Sequence, residues 1–177
     1  MQRLRLRLLA SLVVMMFIAS APGSAAAFGT IDTGGQRREH ERVTRAALSC
    51  AGDAGSDPYC FEPTSIDYLA GHAPGFGAVG APDSDELSDP AAHCDNADFL
   101  EGGYPRTRDE ATASVVACVN HMRMRFGEGV DAAQGLVDDR GQVIADAVNL
   151  QPPCRSRRDS EHRAKCLTME GLGRALH

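Results

Sequence analysis

All six cysteines of this chain, Cys50, Cys60, Cys94, Cys118, Cys154 and Cys166, lie behind a stretch that reads as a secretory leader, and this limits the fold more than any periodicity does. Arg3, Arg5 and Arg7 form a basic start, Leu8 to Ile18 is an apolar run, and Ala25 and Ala27 supply the small residues of a cleavage site. The apolar run falls short of the roughly 20 residues that cross a bilayer. Cleavage between Ala27 and Phe28 is therefore expected, giving a secreted chain without a membrane span whose first residue, Phe28, carries a free α-amino group. An even number of cysteines in an exported chain predicts a disulfide framework. Sequence does not choose among the alternative pairings. Pairing of neighbours is the expectation: Cys50 with Cys60, Cys94 with Cys118 and Cys154 with Cys166, each tying a loop to a helix. No C-x2-C pair is present, which argues against a cysteine-rich zinc site.

Removing the leader from the 177 residues leaves 150, a usual size for one domain, so residues 28–177 are expected to form a single disulfide-stapled unit. The leader holds three arginines and no acid, so its loss takes the net charge from −6 to −9. An acidic surface excludes stable binding of nucleic-acid backbones or anionic membranes by bulk charge. It does not exclude a phosphate held through metal ions. Aromatics make up only 5% and Trp is absent, while Gly (18) and Pro (9) are frequent. A thin core and long loops follow.

Five helical patterns are visible. Gln36 to Cys50 has Val43, Ala46, Ala47 and Cys50 on one side and Arg37, Arg38, Glu41 and Arg45 on the other. Pro63 opens a short helix whose apolar contacts are Ile66 and Leu69. Thr107 and Glu110 match a capping box, and the helix they start runs to about Phe126 with Ala111, Val115, Cys118, Met122 and Phe126 in one stripe. Val130 to Val137 is expected to form a further short helix. A last helix begins near Ser160 or Glu161 and aligns Cys166, Met169, Gly173 and Leu176. Residues 71–106 are a long loop rich in Gly, Pro and Asp, and loops of that length in compact domains are usually functional or disordered. Residues 138–158 are polar and broken at Pro152-Pro153. No strand pattern is convincing, so the fold class is all-α with long loops.

Three histidines stand out. His40 shares a helix side with Val43, Thr44 and Ala47, a setting that more often holds a satisfied core histidine than a ligand. His93 lies in the acidic loop between Asp83 and Asp95. His177 follows Gly173 by four residues, on a helix whose Gly171 and Gly173 each cost about 1 kcal/mol against Ala and so point to a close neighbour. That helix lacks the usual stop signals after Leu176, so the chain is expected to be the amino-terminal part of a longer one.

These segments resemble known proteins. Phe28-Gly-Thr-Ile-Asp, Glu39-His40-Glu-Arg-Val43-Thr44-Arg-Ala46, Gly77-Ala-Val-Gly-Ala-Pro-Asp83, Ala92-His93-Cys-Asp95 and Glu170-Gly-Leu-Gly-Arg-Ala-Leu-His177 are similar to the secreted actinobacterial proteins called CinY. More distantly the chain resembles the zinc-dependent phospholipase C and S1/P1 nuclease group, which is all-helical, exported and binds three zinc ions. The resemblance implies the amino-terminal part of that fold, and zinc held by the α-amino and carbonyl groups of Phe28 (Trp in that group), His40, Asp83, His93 and His177. Asp85 and Asp95 are alternatives to Asp83. Such zinc ions activate water and clamp a phosphodiester. The resemblance therefore implies phosphodiester hydrolysis, by a ligand set of which later members are missing here. The other reading is a non-catalytic secreted helical scaffold or binding protein held by its disulfides.

Overall fold

A computed structural model describes residues 29–32, 36–49, 61–102, 105–149, 151, 153–154 and 162–177. Its helices are α1 (Glu39–Leu48), α2 (Pro63–Ala70), α3 (Pro82–Asp85), α4 (Arg108–Ala133), α5 (Ala145–Val148) and α6 (Ala164–Ala175), with 3-10 turns at Ala78–Gly80 and Gln134–Leu136. Among the described residues there is no sheet, only an isolated antiparallel bridge between Val137 and Val143. The chain is all-α. None of the described helices is long and apolar enough to cross a membrane. The expected leader, Phe28 and the Cys50 and Cys60 pair lie outside the described residues.

Local chemistry starts the helices. Thr107 Oγ1 accepts from the Glu110 amide at 3.2 Å, and Glu110 Oε2 accepts from the Thr107 amide at 2.7 Å. This capping box satisfies two amides that the helix itself cannot. From it α4 continues for 26 residues, so the segment from Val130 is its continuation, ending in the 3-10 turn. Pro63 occupies the first turn of α2, and the Glu62 carboxylate accepts from the Thr64 and Ser65 amides at 3.1 and 3.0 Å.

The small core centres on Leu69 of α2 and Met169 of α6, with Leu48, Phe61, Tyr68, Cys154 and Leu172 packed around them. Complete burial of Leu69 stabilises the fold by about 2 kcal/mol. Cystine bridges extend this core. Cys94 is joined to Cys118 (Cα–Cα 5.0 Å) and Cys154 to Cys166 (5.5 Å). The first ties the long loop to α4, the second ties the segment before α6 to α6.

Two glycines of α6 set the packing. A Cβ on Gly171 would lie 2.5 Å from the Gly129 amide nitrogen of α4, and one on Gly173 would lie 2.3 Å from Ala78 Cβ. The backbone of α6 therefore touches α4 on one side and the 78–80 turn on the other. The close neighbour expected from these glycines is present on both sides.

That contact also rotates α4 away from the expected stripe. Ala111 and Cys118 are buried, but Val115, Met122 and Phe126 are exposed. Gly129 and the bridged Cys118 turn inward the face that also carries His121 and Arg125. In α1 the expected sides are likewise shifted. Thr44 is buried while Val43 is 58% exposed. Arg38 and Arg45, expected on the side away from the apolar residues, donate to the Gly75 and Gly71 carbonyls and hold the 71–77 loop. In α6, Cys166, Met169 and Gly173 are buried as expected, whereas Leu176 is exposed.

Candidate metal centre

The 78–80 turn is seated against α6, and α3 follows it at once. Asp83, one residue into α3, is thereby brought next to His177, which follows the end of α6. α1 lies across the same turn and contributes His40. His93 arrives from the loop whose next residue, Cys94, is bridged to α4. Four of the five residues expected as ligands thus meet at one cavity of about 560 Å³, which Val43, Thr44, Leu87, Asp95 and Leu176 also line.

Hydrogen bonds fix the orientation of two rings. Nδ1 of His177 lies 2.7 Å from the Val79 carbonyl oxygen, and Nε2 of His93 lies 3.2 Å from that of Glu86. A carbonyl only accepts, so the nitrogen facing it carries the proton. In the neutral rings the bare nitrogens are then Nε2 of His177 and Nδ1 of His93. These two atoms face each other at 3.0 Å. Asp83 Oδ1, also an acceptor, lies 3.5 Å from the first and 3.6 Å from the second. His40 stacks on His177 with ring centroids 4.4 Å apart. One ligand atom each from His40, Asp83 and His177 lies within 4.8 Å of the other two.

The electrostatics favour the neutral forms of His40 and His177. Burial holds His40 below the usual imidazole value, with His177 adding to the effect and Asp83 opposing it. Burial also lowers His177, against the opposing pull of the Val79 carbonyl and Asp83. The site therefore offers lone pairs and one carboxylate to a shared point, with His40 and His177 held towards their neutral forms.

Phe28 lies outside the described residues, and its neighbour Gly29 is bonded to the start of α1. Gly29 donates its amide to Glu39 Oε2 at 3.2 Å, and its carbonyl accepts from the His40 amide at 3.4 Å. Asp85 is turned away from the cluster towards Arg174, and Asp95 lies in the cavity wall.

The sequence reading missed the polar frame behind the ligands. Arg174, buried in α6, spans three carboxylates. Its Nη1 and Nη2 meet Asp85 at 2.8 and 2.6 Å, Nη1 also meets Glu86 Oε1 at 2.9 Å, and Nε meets Glu170 at 2.8 Å. Burial works against its charge, but Asp85 and Glu170 more than compensate and hold the guanidinium protonated well above its ordinary range. Arg125 of α4 also pairs with Glu86, and His121 Nε2 lies 3.2 Å from Glu86 Oε2. One signal was available: an arginine between Gly173 and Ala175, on a helix side that must pack closely, needs partners if it is buried.

Comparison with family models, curated proteins and solved structures gives no match to this chain.

Proposed function

We propose that the protein is an exported zinc-binding protein whose centre, formed by His40, Asp83, His93 and His177, serves phosphodiester hydrolysis of the phospholipase C and P1 nuclease type. The observation that carries this reading is the triangle of His177 Nε2, His93 Nδ1 and Asp83 Oδ1, with edges of 3.0, 3.5 and 3.6 Å. Tetrahedral zinc with bonds of about 2.0–2.2 Å needs its ligand atoms about 3.3–3.6 Å apart; the two edges to Asp83 meet this, and the His177–His93 edge of 3.0 Å has to open by a few tenths of an ångström. Nitrogen and carboxylate oxygen are donors that zinc accepts, and the carbonyls behind both imidazoles are the outer partners that orient such ligands. Zinc bound there would polarise a phosphoryl oxygen and acidify a water. The open cavity leaves room for both. Export rests on the leader sequence and fits the two cystine bridges.

A second reading has its own support. The Arg174 frame and the cystine bridges themselves tie the ligand-bearing elements together, as a non-catalytic scaffold would require. The test is hydrolysis of bis(p-nitrophenyl) phosphate by the oxidised protein beginning at Phe28, with added zinc and with a chelator. Zinc-dependent release of nitrophenol that disappears in His177→Ala supports the hydrolase. Zinc binding without turnover leaves the scaffold.

A further inference from the structure

We infer that Arg174 and Glu86 are positioning residues that set the spacing of the metal ligands, so that the identity of the buried guanidinium controls the centre it never touches. This rests on reading the His–Asp cluster as a metal centre. Arg174 lies one helical turn before His177, and the His177 amide bonds back to the Arg174 carbonyl at 3.4 Å. The same guanidinium grips Asp85 and Glu86, the second and third residues after the ligand Asp83. Glu86 in turn presents its carbonyl to His93 Nε2. A single side chain therefore links the segments that deliver His177, Asp83 and His93.

The clasp is itself clamped from two sides. Glu170 accepts from Arg174 Nε, and Tyr68 donates to the other oxygen of Glu170 at 3.0 Å. On the far side Arg125 holds the Glu86 carboxylate from α4. Each contact limits rotation of one member. The three carboxylates are met at Nε, Nη1 and Nη2, separate atoms of one planar fork, and the single Nζ of lysine cannot stand at all three places. Glu86→Gln keeps the backbone carbonyl and the side-chain shape but removes the charge the two arginines grip.

The test compares the full oxidised protein with Arg174→Lys and Glu86→Gln, and with Ile66→Val as a core control away from the site. Zinc affinity is read by competition with a chromophoric chelator, ligand geometry by the visible spectrum of the cobalt-loaded protein, and imidazole tautomers by 15N NMR without metal. Outer-sphere changes of this kind cost about 10- to 100-fold in metal affinity. We expect such a loss in Arg174→Lys and a smaller one in Glu86→Gln, with an altered cobalt spectrum and with His93 no longer held as the Nε2–H tautomer. Ile66→Val should lower Tm and leave the other readouts unchanged. Wild-type affinity, spectrum and tautomers in Arg174→Lys would overturn the positioning role. If the wild-type protein binds no zinc, the metal reading fails, and the tautomers of the metal-free variants still decide whether Arg174 sets the ring orientations.

Discussion

Nε2 of His177 faces Nδ1 of His93 at 3.0 Å, while the opposite nitrogen of each ring faces a backbone carbonyl. Two lone pairs at that distance repel unless a proton or a cation lies between them. Asp83 Oδ1 adds negative charge at the same point. Asp83→Asn removes that charge and should weaken zinc binding beyond the roughly 100-fold that outer-sphere changes reach. Asp95→Asn should leave it within a few-fold. Isothermal titration of the two variants separates Asp83 from its rival, and equal losses would contradict the ligand assignment.

The metal-free protein should lose stability as pH falls through the histidine range. Burial, chiefly, holds both His40 and His177 below the ordinary 6.5. The unfolded chain then binds more protons than the folded one between the lowered values and 6.5, so unfolding free energy rises with pH in that window. The stability is fully present above 6.5 and disappears towards the folded values. Tm should fall between pH 7 and pH 5 in the presence of a chelator, and fall less in the His40→Gln/His177→Gln double variant. The same slope in both proteins would show that these rings do not contribute.

Two glycines of neighbouring helices should respond in opposite directions to alanine. At Gly171 the added Cβ meets the Gly129 backbone at 2.5 Å, so α4 and α6 must separate. Overpacking of this kind costs about 1–3 kcal/mol. At Gly127 nothing lies within 4 Å, and alanine in a helix gains about 1 kcal/mol. Urea denaturation of the two variants checks the pair. A stable Gly171→Ala would mean that the helices do not touch through backbone.

The bridge between Cys94 and Cys118 should matter to the site as well as to the fold. It anchors the residue after His93 to α4. Replacing both cysteines with serine should cost about 2–4 kcal/mol. It should also weaken zinc binding, because the turn that carries His93 would lose its covalent tie to α4 and be held by hydrogen bonds alone. Chemical denaturation and zinc titration of the double variant measure the two effects separately.

What the sequence made legible was local. The Thr107–Glu110 capping box, the proline start of α2 and the Gly171 and Gly173 contacts depend on residues a few positions apart, and each forms as their chemistry requires. His40, His93 and His177 stood out as single residues, their grouping with Asp83 came from a resemblance, and the structure brings all four to one cavity. The faces of α1 and α4 were misjudged because apolar periodicity does not record a backbone contact such as Gly129–Gly171 or an arginine that caps a distant loop. The Arg174–Asp85–Glu86 frame joins residues 88 and 89 positions apart, and no periodic signal spans that interval.

The most direct measurement is the metal content of the mature protein, begun at Phe28, purified oxidised without a chelating tag and analysed by mass spectrometry beside His177→Ala. About one or more zinc ions per chain, lost in His177→Ala while its helical circular dichroism is retained, is the result expected from the facing lone pairs of His177 and His93. A folded wild-type protein that holds no zinc, and takes none up when it is supplied, would contradict the metal centre.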